Sequence, residues 1–219
     1  MSVLTGTKKK RTYLRADARR AQILDVAKDV FAGRGYHDAN VADICKAARI
    51  GRGTLYLYFE NKRDVLLALM EDLAARIKNV LATRAKIEDF PDAAKVPAPL
   101  VVKFCKKRLR EILDAVFVDE ATLRLVLRDA RGADGAIDEI IMLVDRLLLG
   151  AIEADTRAAM NAGVFRQADA RKIALYILGG IEKLVMDALS RDAPVDRDAI
   201  IDAAVDLEMF GLLKEEVRR

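Results

Sequence analysis

A helical spacing of apolar residues runs through almost the whole chain and restricts its fold more than any other feature. In the segment 16–34, apolar residues recur at positions i, i+1, i+4, i+7 and i+8, namely Ile23, Leu24, Ala27, Val30 and Phe31. This spacing places them on one face of an α-helix, whereas the apolar and polar alternation that is typical of strands is absent. We therefore predict an all-α protein with about nine helices and no strand.

Glycine, asparagine and proline mark the ends of the predicted helices. Gly35 can end the first helix, and Asn40 and Asn61 can cap the starts of the second and fourth helices. Residues 86–99 contain three of the four prolines and are predicted to form a loop. The predicted helices are 16–34, 41–48, 52–59, about twenty residues from position 61, 100–118, 120–130, 137–162, 168–191 and 195–214.

The basic side chains are concentrated at the N-terminal end. Residues 1–63 contain 14 Lys and Arg and 6 Asp and Glu, which gives a net charge of +8. Residues 64–219 contain 24 Lys and Arg and 28 Asp and Glu, which gives a net charge of −4. This asymmetry indicates a polyanionic partner, and it favours nucleic acid over a membrane because no basic amphipathic anchor accompanies the charge. A solvated basic tail would have the same charge, so the charge alone leaves both interpretations open.

The chain contains too few metal ligands and catalytic groups for most enzyme chemistry. It has one histidine, His37, and two cysteines, Cys45 and Cys105, which are sixty positions apart. They cannot form a Cys/His zinc site, and a hydrolytic triad would need the single histidine. We expect no metal, no cofactor and no enzymatic activity. The longest uncharged apolar stretch, 173–181, is too short to span a membrane and no apolar run follows residues 8–11, so we expect a cytoplasmic protein.

The short segments 41–48 and 52–59 have the layout of a helix-turn-helix. On a helical wheel, Leu55 and Phe59 share one side, where they can pack on the preceding helix. The opposite side consists of Arg52, Gly53, Thr54, Tyr56 and Leu57. A second helix that exposes such a side can enter the major groove of DNA. We predict that Arg52 reads guanine, that Leu57 meets a thymine methyl, and that Gly53 lets the backbone come close.

Other polar residues around this motif are suited to hold phosphates, because hydroxyls, amides and helix N-termini are the usual donors. The predicted phosphate contacts are Asn40, Thr54, Tyr56, Tyr58 and Lys62. A basic arm before residue 16 can add phosphate or minor-groove contacts through Lys8, Lys9, Lys10, Arg11 and Arg15. The alternatives are that Tyr56 and Tyr58 are core aromatics and that Leu57 is exposed without a role.

The run Gly53-Thr54-Leu55-Tyr56-Leu57-Tyr58-Phe59, within the motif 40–59 and followed by Asn61-Lys62, resembles the DNA-binding domain of the tetracycline-repressor (TetR) family. The resemblance covers residues 17–77. It implies a homodimeric, usually repressing regulator of a pseudo-palindromic operator, whose second domain binds a small molecule and thereby releases the DNA. Two positions depart from the family pattern, since Arg49 stands where Gly is usual and Gly51 where Ser or a similar cap is usual. We expect Arg49 to add a phosphate contact.

The predicted organisation is a basic arm at 1–15, a helix-turn-helix domain at 16–62, and a ligand-binding and dimerisation domain at 63–219. Gly179-Gly180 inside a strongly apolar helix indicates that another helix approaches closely, although ordinary packing within the chain or a kink would also account for it. The resemblance favours dimerisation, through Ile177, Gly179, Gly180, Leu184, Ala204 and Leu207. We expect a mostly apolar ligand pocket near Phe104, Arg108, Phe117 and Phe165.

Two further functions remain open on the sequence alone. The protein could bind DNA without an effector, as an architectural protein or an activator. Alternatively, it could be an α-helical binding module or an enzyme whose basic end is incidental, which the lack of a catalytic constellation disfavours.

Overall fold

The computed structural model describes residues 5–83, 96–127, 132, 135–191 and 193–212, and the side chains of residues 5–15 and Phe210 lie outside that description. Over these ranges the chain forms nine α-helices and no β-strand, so the all-α prediction is confirmed. The helices are α1 (Thr5–Arg34), α2 (Val41–Ala48), α3 (Arg52–Tyr56), α4 (Lys62–Thr83), α5 (Ala98–Phe117), α6 (Glu120–Leu125), α7 (Gly135–Asn161), α8 (Ala170–Ser190) and α9 (Arg197–Leu212).

Two helix boundaries differ from the prediction in ways that matter for the DNA-binding end. Helix α1 begins at Thr5 and not near Ala16, because the Lys- and Arg-rich stretch before residue 16 consists largely of good helix formers. The side chains of the predicted basic arm lie outside the described residues. Helix α3 ends at Tyr56, yet the amides of Tyr58 and Phe59 still donate to the carbonyl of Leu55 at 2.9 and 3.0 Å. The polypeptide therefore makes one more turn beyond the end of α3.

The predicted loop at 86–99 can be compared with the structure only at its end, because residues 84–95 lie outside the described part. Helix α5 starts at Ala98, with Pro97 as its N-cap residue and Pro99 in its first turn. Proline is tolerated there because the first amides of a helix have no partner within it.

Local capping accounts for several of the helix ends. Asn40 caps α2 in a capping box: its Oδ1 accepts from the amide of Asp43, and the Asp43 carboxylate accepts from the amide of Asn40, both at 3.1 Å. Asn61 Oδ1 accepts from the amide of Asp64 at 3.1 Å at the start of α4. Gly35 ends α1 with φ of 80°, as the sequence predicts.

The chain divides into two compact units. Unit 1 comprises residues 1–72 and 119–138, so it contains the first half of α4 and the whole of α6 in addition to the helix-turn-helix segment. Helix α1 packs on α2 and on α6, and Lys28 of α1 reaches both Asp25 at 2.7 Å and the α6 N-cap Asp119 at 3.8 Å. The fully buried side chains of this unit include Ile23, Phe31, Ile44, Leu55, Val65, Leu66, Leu125 and Ile137.

Unit 2 comprises residues 73–118 and 139–219. Helix α9 packs on both α5 and α8. Exposed ion pairs join α5 to α9, with Lys106 Nζ 2.9 Å from Asp202 and 2.8 Å from Asp206. Such exposed pairs contribute little free energy individually, and the buried apolar side chains hold the helices together. Among the described residues, no helix combines the length and the apolar content needed to cross a bilayer.

Candidate nucleic-acid interface and ligand cavity

The turn between α2 and α3 has a left-handed residue at its start. Arg49 adopts φ of 56° and ψ of 45°, and the amides of Arg49 and Ile50 donate to the carbonyls of Lys46 at 3.3 Å and Cys45 at 3.0 Å. Gly51 then takes an extended conformation, and its carbonyl accepts hydrogen bonds from the amides of Thr54 at 3.0 Å and Leu55 at 3.3 Å in α3. The turn therefore has the backbone that glycine would favour at position 49, and arginine adopts it under strain.

Helix α3 has one buried side and one exposed side, as the helical wheel predicts. Leu55 is fully buried and Phe59 is 5 % exposed, whereas Tyr56 is 53 % and Leu57 79 % exposed. Arg52 and Gly53 are also exposed, and Thr54 and Tyr58 are half-buried. The buried pair anchors the helix to the rest of unit 1, and the exposed side is free to meet a ligand as large as duplex DNA. The individual DNA contacts stay predictions.

Asn40 and Arg49 lie at opposite ends of α2, and both are exposed. The Oδ1 atom of Asn40 is engaged in the capping box, so its NH₂ group is the donor that a phosphate could use. The two residues therefore offer donors at either end of the first helix of the motif.

Lys62, at the first position of α4, has a role that its sequence position does not reveal. Its ammonium group donates to three backbone carbonyls of the loop between α1 and α2, those of Tyr36 at 2.8 Å and of His37 and Ala39 at 2.9 Å. It also lies 4.6 Å from the centre of the Tyr36 ring. All three N–H donors of the ammonium are thus occupied. The phosphate contact predicted for Lys62 stays a prediction, and in the structure this residue joins α4 to the loop.

Unit 2 contains an apolar cavity of about 130 Å³ between α5, α7, α8 and α9. Its volume is close to that of protein cavities that hold a benzene-sized molecule, about 150 Å³. Three of the four predicted pocket residues line it, namely Phe104, Arg108 and Phe165. The other lining residues are Cys105, Leu109, Ile112, Leu148, Ala151, Ile152, Asp155, Thr156, Ala159, Ile177, Ile181, Val205, Glu208, Met209 and Leu212.

Phe117, the fourth predicted pocket residue, is not part of the cavity wall. It follows Phe104 by thirteen positions on α5, which turns it by about 220° and carries it about 20 Å along the helix. Arg108 follows Phe104 by four positions and shares its face, and its guanidinium lies 5.3 Å from the Phe104 ring centre. The helical spacing thus separates the two phenylalanines.

Five polar groups interrupt the apolar wall. Arg108 forms an ion pair with Asp155 of α7, and Thr156 is buried. Burial raises the pKa of the Cys105 thiol to about 11, and burial also raises the pKa of the Glu208 carboxyl to about 7. Sequence reasoning did not find Cys105, Asp155 or Glu208 as pocket residues. The only available signal was the presence of two carboxyl residues, Asp206 and Glu208, between the apolar positions 205 and 209 of α9.

Helices α8 and α9 leave part of their surface without partners in the described part of the chain. Gly179 and Gly180 are exposed, and a Cβ atom placed on either would have no heavy atom within 4 Å. Leu175, Tyr176 and Leu207 are exposed large side chains on the same two helices. Of the other predicted interface residues, Leu184 is half-buried, whereas Ile177 and Ala204 are buried inside the subunit. Close packing within the described chain therefore does not account for the glycine pair.

These features define a helix-turn-helix protein of the DNA-binding regulator class, with a separate helical unit that contains a cavity. Residues 23–69 match the family model "Bacterial regulatory proteins, tetR family". This segment, which contains the motif at 40–59, is therefore a DNA-binding domain of the kind found in that family of regulators.

The similarity to characterised relatives extends beyond the DNA-binding segment. The chain is 26 % identical over 193 residues to the fatty acid metabolism regulator protein of Bacillus subtilis, covering 87 % of this chain and 94 % of the relative. It is 25 % identical over 222 residues to the HTH-type transcriptional activator FasR of Mycolicibacterium smegmatis, covering 94 % and 89 %. It is also similar in fold to the FadR regulator of Bacillus subtilis crystallised with stearoyl-CoA, with a TM-score of 0.67, 23 % identity, and coverage of 87 % and 98 %.

Proposed function

We propose that the protein is a homodimeric repressor that leaves its operator when a small apolar effector enters the cavity of unit 2. The observation that carries the DNA-binding part is the division of α3 into a buried anchor, Leu55 and Phe59, and an exposed side with Arg52, Tyr56 and Leu57. The exposed side presents a guanidinium that suits guanine, a phenol that suits a phosphate, and an aliphatic group that suits the thymine methyl. Because chromosomal DNA is the proposed target, we place the protein in the cytoplasm.

The cavity supports the effector part of the proposal. It is apolar with a few convergent polar groups, which is the usual composition of a small-molecule site. One relative of the same fold was crystallised with stearoyl-CoA, so acyl thioesters are the first class of effector to test. We propose that the acyl part occupies the space between Phe104 and Phe165.

Helix α4 is the element we propose for coupling, because its residues 62–72 belong to unit 1 and its residues 73–83 to unit 2. An effector releases DNA only if it binds the non-DNA-binding state more tightly. Typical coupling energies of about 1–3 kcal/mol correspond to a change of about 5- to 150-fold in operator affinity.

The proposed dimer forms through α8 and α9. Gly179 and Gly180 would let the backbones of two subunits approach closely, and Leu175, Tyr176 and Leu207 would be buried between them. In such a dimer the two α3 helices would read half-sites about 34–36 Å apart. Sedimentation of wild-type protein and of Gly180→Leu tests the dimer, because the variant should be monomeric while retaining its helical content.

The central experiment measures fluorescence anisotropy of a labelled DNA fragment from the region upstream of the protein's own gene. We expect binding that survives competition by a scrambled fragment, and a 5- to 150-fold loss of affinity when an acyl-CoA with an acyl group small enough for the cavity is added. Free coenzyme A is the matched control, because it lacks only the acyl chain. Operator binding that no acyl-CoA changes would contradict the proposed effector class and favour an effector-independent regulator.

Activation is the second candidate mode, because one relative is named a transcriptional activator. A promoter fusion in cells that lack the protein separates the two modes. Transcription should rise in its absence if it represses and fall if it activates.

A further inference from the structure

Glu208 of α9 lies at the boundary between two spaces of unit 2. On one side it lines the apolar cavity, and on the other it lines a recess of about 450 Å³ beside α8. Ile177 and Leu212 line both spaces as well. Glu208 is therefore a polar group at a position that a ligand entering from the recess would pass.

The groups that face Glu208 from the cavity side do not satisfy its carboxyl. Arg108 of α5 forms an ion pair with Asp155 of α7 and lies over the Phe104 ring, so its positive charge is already matched. Cys105 of α5 remains a neutral thiol at ordinary pH because burial raises its pKa to about 11.

The groups on the recess side have other partners or are exposed to solvent. Arg166 donates from Nε to the carbonyl of Gly211 at 2.9 Å, and Lys172 Nζ lies 3.2 Å from Asp169. Tyr176 is largely exposed. On α9 itself, Asp202 and Asp206 pair with Lys106 of α5.

Across the described residues, the Glu208 carboxyl makes no hydrogen bond and no ion pair. Burial favours the neutral form of an unpaired carboxyl, and here it raises the pKa to about 7. The neutral acid presents one O–H donor, and half-buried Glu208 lines both the cavity and the recess. A ligand oxygen in the cavity could accept a hydrogen bond from this donor. An anionic group would be repelled by the ionised form, and a cation could use only the form that burial disfavours.

We propose that Glu208, as a neutral carboxylic acid, donates a hydrogen bond to an uncharged acceptor oxygen, such as a carbonyl, of an apolar ligand in the cavity. The inference rests on the proposed function in taking the cavity as the effector site, and it specifies the chemistry of the effector. The carbonyl can belong to a ketone, an ester or a thioester, since all three present the same uncharged acceptor. The preference of the cavity for a ligand with a carbonyl over one without it should then depend on whether Glu208 is protonated.

The test uses the full-length protein and three probes of similar shape that match the size of the cavity. Acetophenone carries a carbonyl, ethylbenzene has no acceptor, and 1-phenylethylammonium is a cation. Their affinities are measured by NMR titration at pH 6 and pH 8. With a pKa of about 7, about nine-tenths of Glu208 is neutral at pH 6 and about one-tenth at pH 8.

We expect acetophenone to bind wild-type protein about fivefold more tightly than ethylbenzene at pH 6, as one neutral hydrogen bond allows. At pH 8 the preference should fall below about twofold. Glu208→Gln, which keeps a donor but does not titrate, should show the preference at both pH values. Glu208→Leu should lose it at both.

A preference for acetophenone that survives in Glu208→Leu, or that is independent of pH in wild-type protein, would overturn the inference. Tighter binding of 1-phenylethylammonium at pH 8 would also overturn the inference, because it would make Glu208 a counter-ion for cations. Failure of acetophenone to bind would overturn it as well. Ala151→Phe, which fills the cavity, separates this result from the proposed function. If ethylbenzene binds wild-type protein but not this variant, the cavity takes ligands regardless of the Glu208 result, and operator release by acyl-CoA remains a separate measurement.

Discussion

Replacing Lys62 by methionine tests the role that the structure gives this side chain. Methionine keeps the apolar stem but removes the ammonium, so the carbonyls of Tyr36, His37 and Ala39 lose their shared donor. A hydrogen bond to a charged group contributes about 1.5–3 kcal/mol, so three at the lower value contribute about 4.5 kcal/mol. Ordering the lysine side chain costs up to about 2 kcal/mol. We therefore expect the free energy of unfolding to fall by about 2–3 kcal/mol.

Urea unfolding followed by far-ultraviolet circular dichroism measures this loss. Lys78→Met is the matched control, because Lys78 is an exposed lysine of the same helix and its replacement should change the free energy of unfolding by less than about 0.5 kcal/mol. Equal stabilities of the two variants would refute the reasoning from the three hydrogen bonds.

The salt dependence of operator binding separates the loop contact from the predicted phosphate contact. Each phosphate neutralised by a lysine adds about 0.9 to the slope of log K against log salt. If Lys62 acts only through the loop, Lys62→Met should weaken DNA binding without changing this slope. A slope that falls by about 0.9 in a variant of unchanged stability would instead establish a phosphate contact.

Three further predictions concern α3, the turn before it and the cavity. Arg49→Gly should raise the free energy of unfolding by about 0.5–1 kcal/mol, because the relief of strain at φ of 56° exceeds the larger loss of backbone entropy for glycine. Urea unfolding measures this change, and a variant less stable than wild-type protein would contradict the prediction. Arg52→Ala should relax sequence preference at one base position while Tyr56→Phe weakens binding on all sequences, as selection from randomised operators would show; equal loss on every sequence for Arg52→Ala would count against base reading. Burial raises the pKa of Glu208 to about 7, from about 4.5 in the unfolded chain. The contribution of Glu208 to the free energy of unfolding is therefore highest below pH 4.5, where the carboxyl is neutral in both states, and it falls as pH rises through 7. Glu208→Gln should therefore gain on the order of 2 kcal/mol over wild-type protein between pH 5 and pH 8, and a difference that does not vary with pH would exclude this titration.

Helix positions and the sides of α3 could be predicted from the sequence because they depend on neighbours a few residues away. The spacing of Leu55 and Phe59 determines which side of α3 is buried, and Asn40 and Asp43 cap α2 within one turn. The start of α1 was placed too late because helix-forming basic residues carry no apolar pattern that marks a boundary.

The partners of Lys62 and the environment of Glu208 depend on residues that are distant in sequence. The three carbonyls that accept from Lys62 lie 23 to 26 positions before it, and the cavity beside Glu208 is bounded by residues from 104 to 212. Hydrogen bonding and desolvation act through space. From the sequence alone, Glu208 therefore cannot be distinguished from an ordinary surface carboxyl, because its burial depends on how the surrounding helices pack. The sequence by itself determined the order of the helices, the helix-turn-helix and the exposed side of α3. Only the tertiary structure decided that Lys62 joins α4 to the α1–α2 loop, that Phe117 lies off the cavity, and that burial raises the pKa of the Glu208 carboxyl.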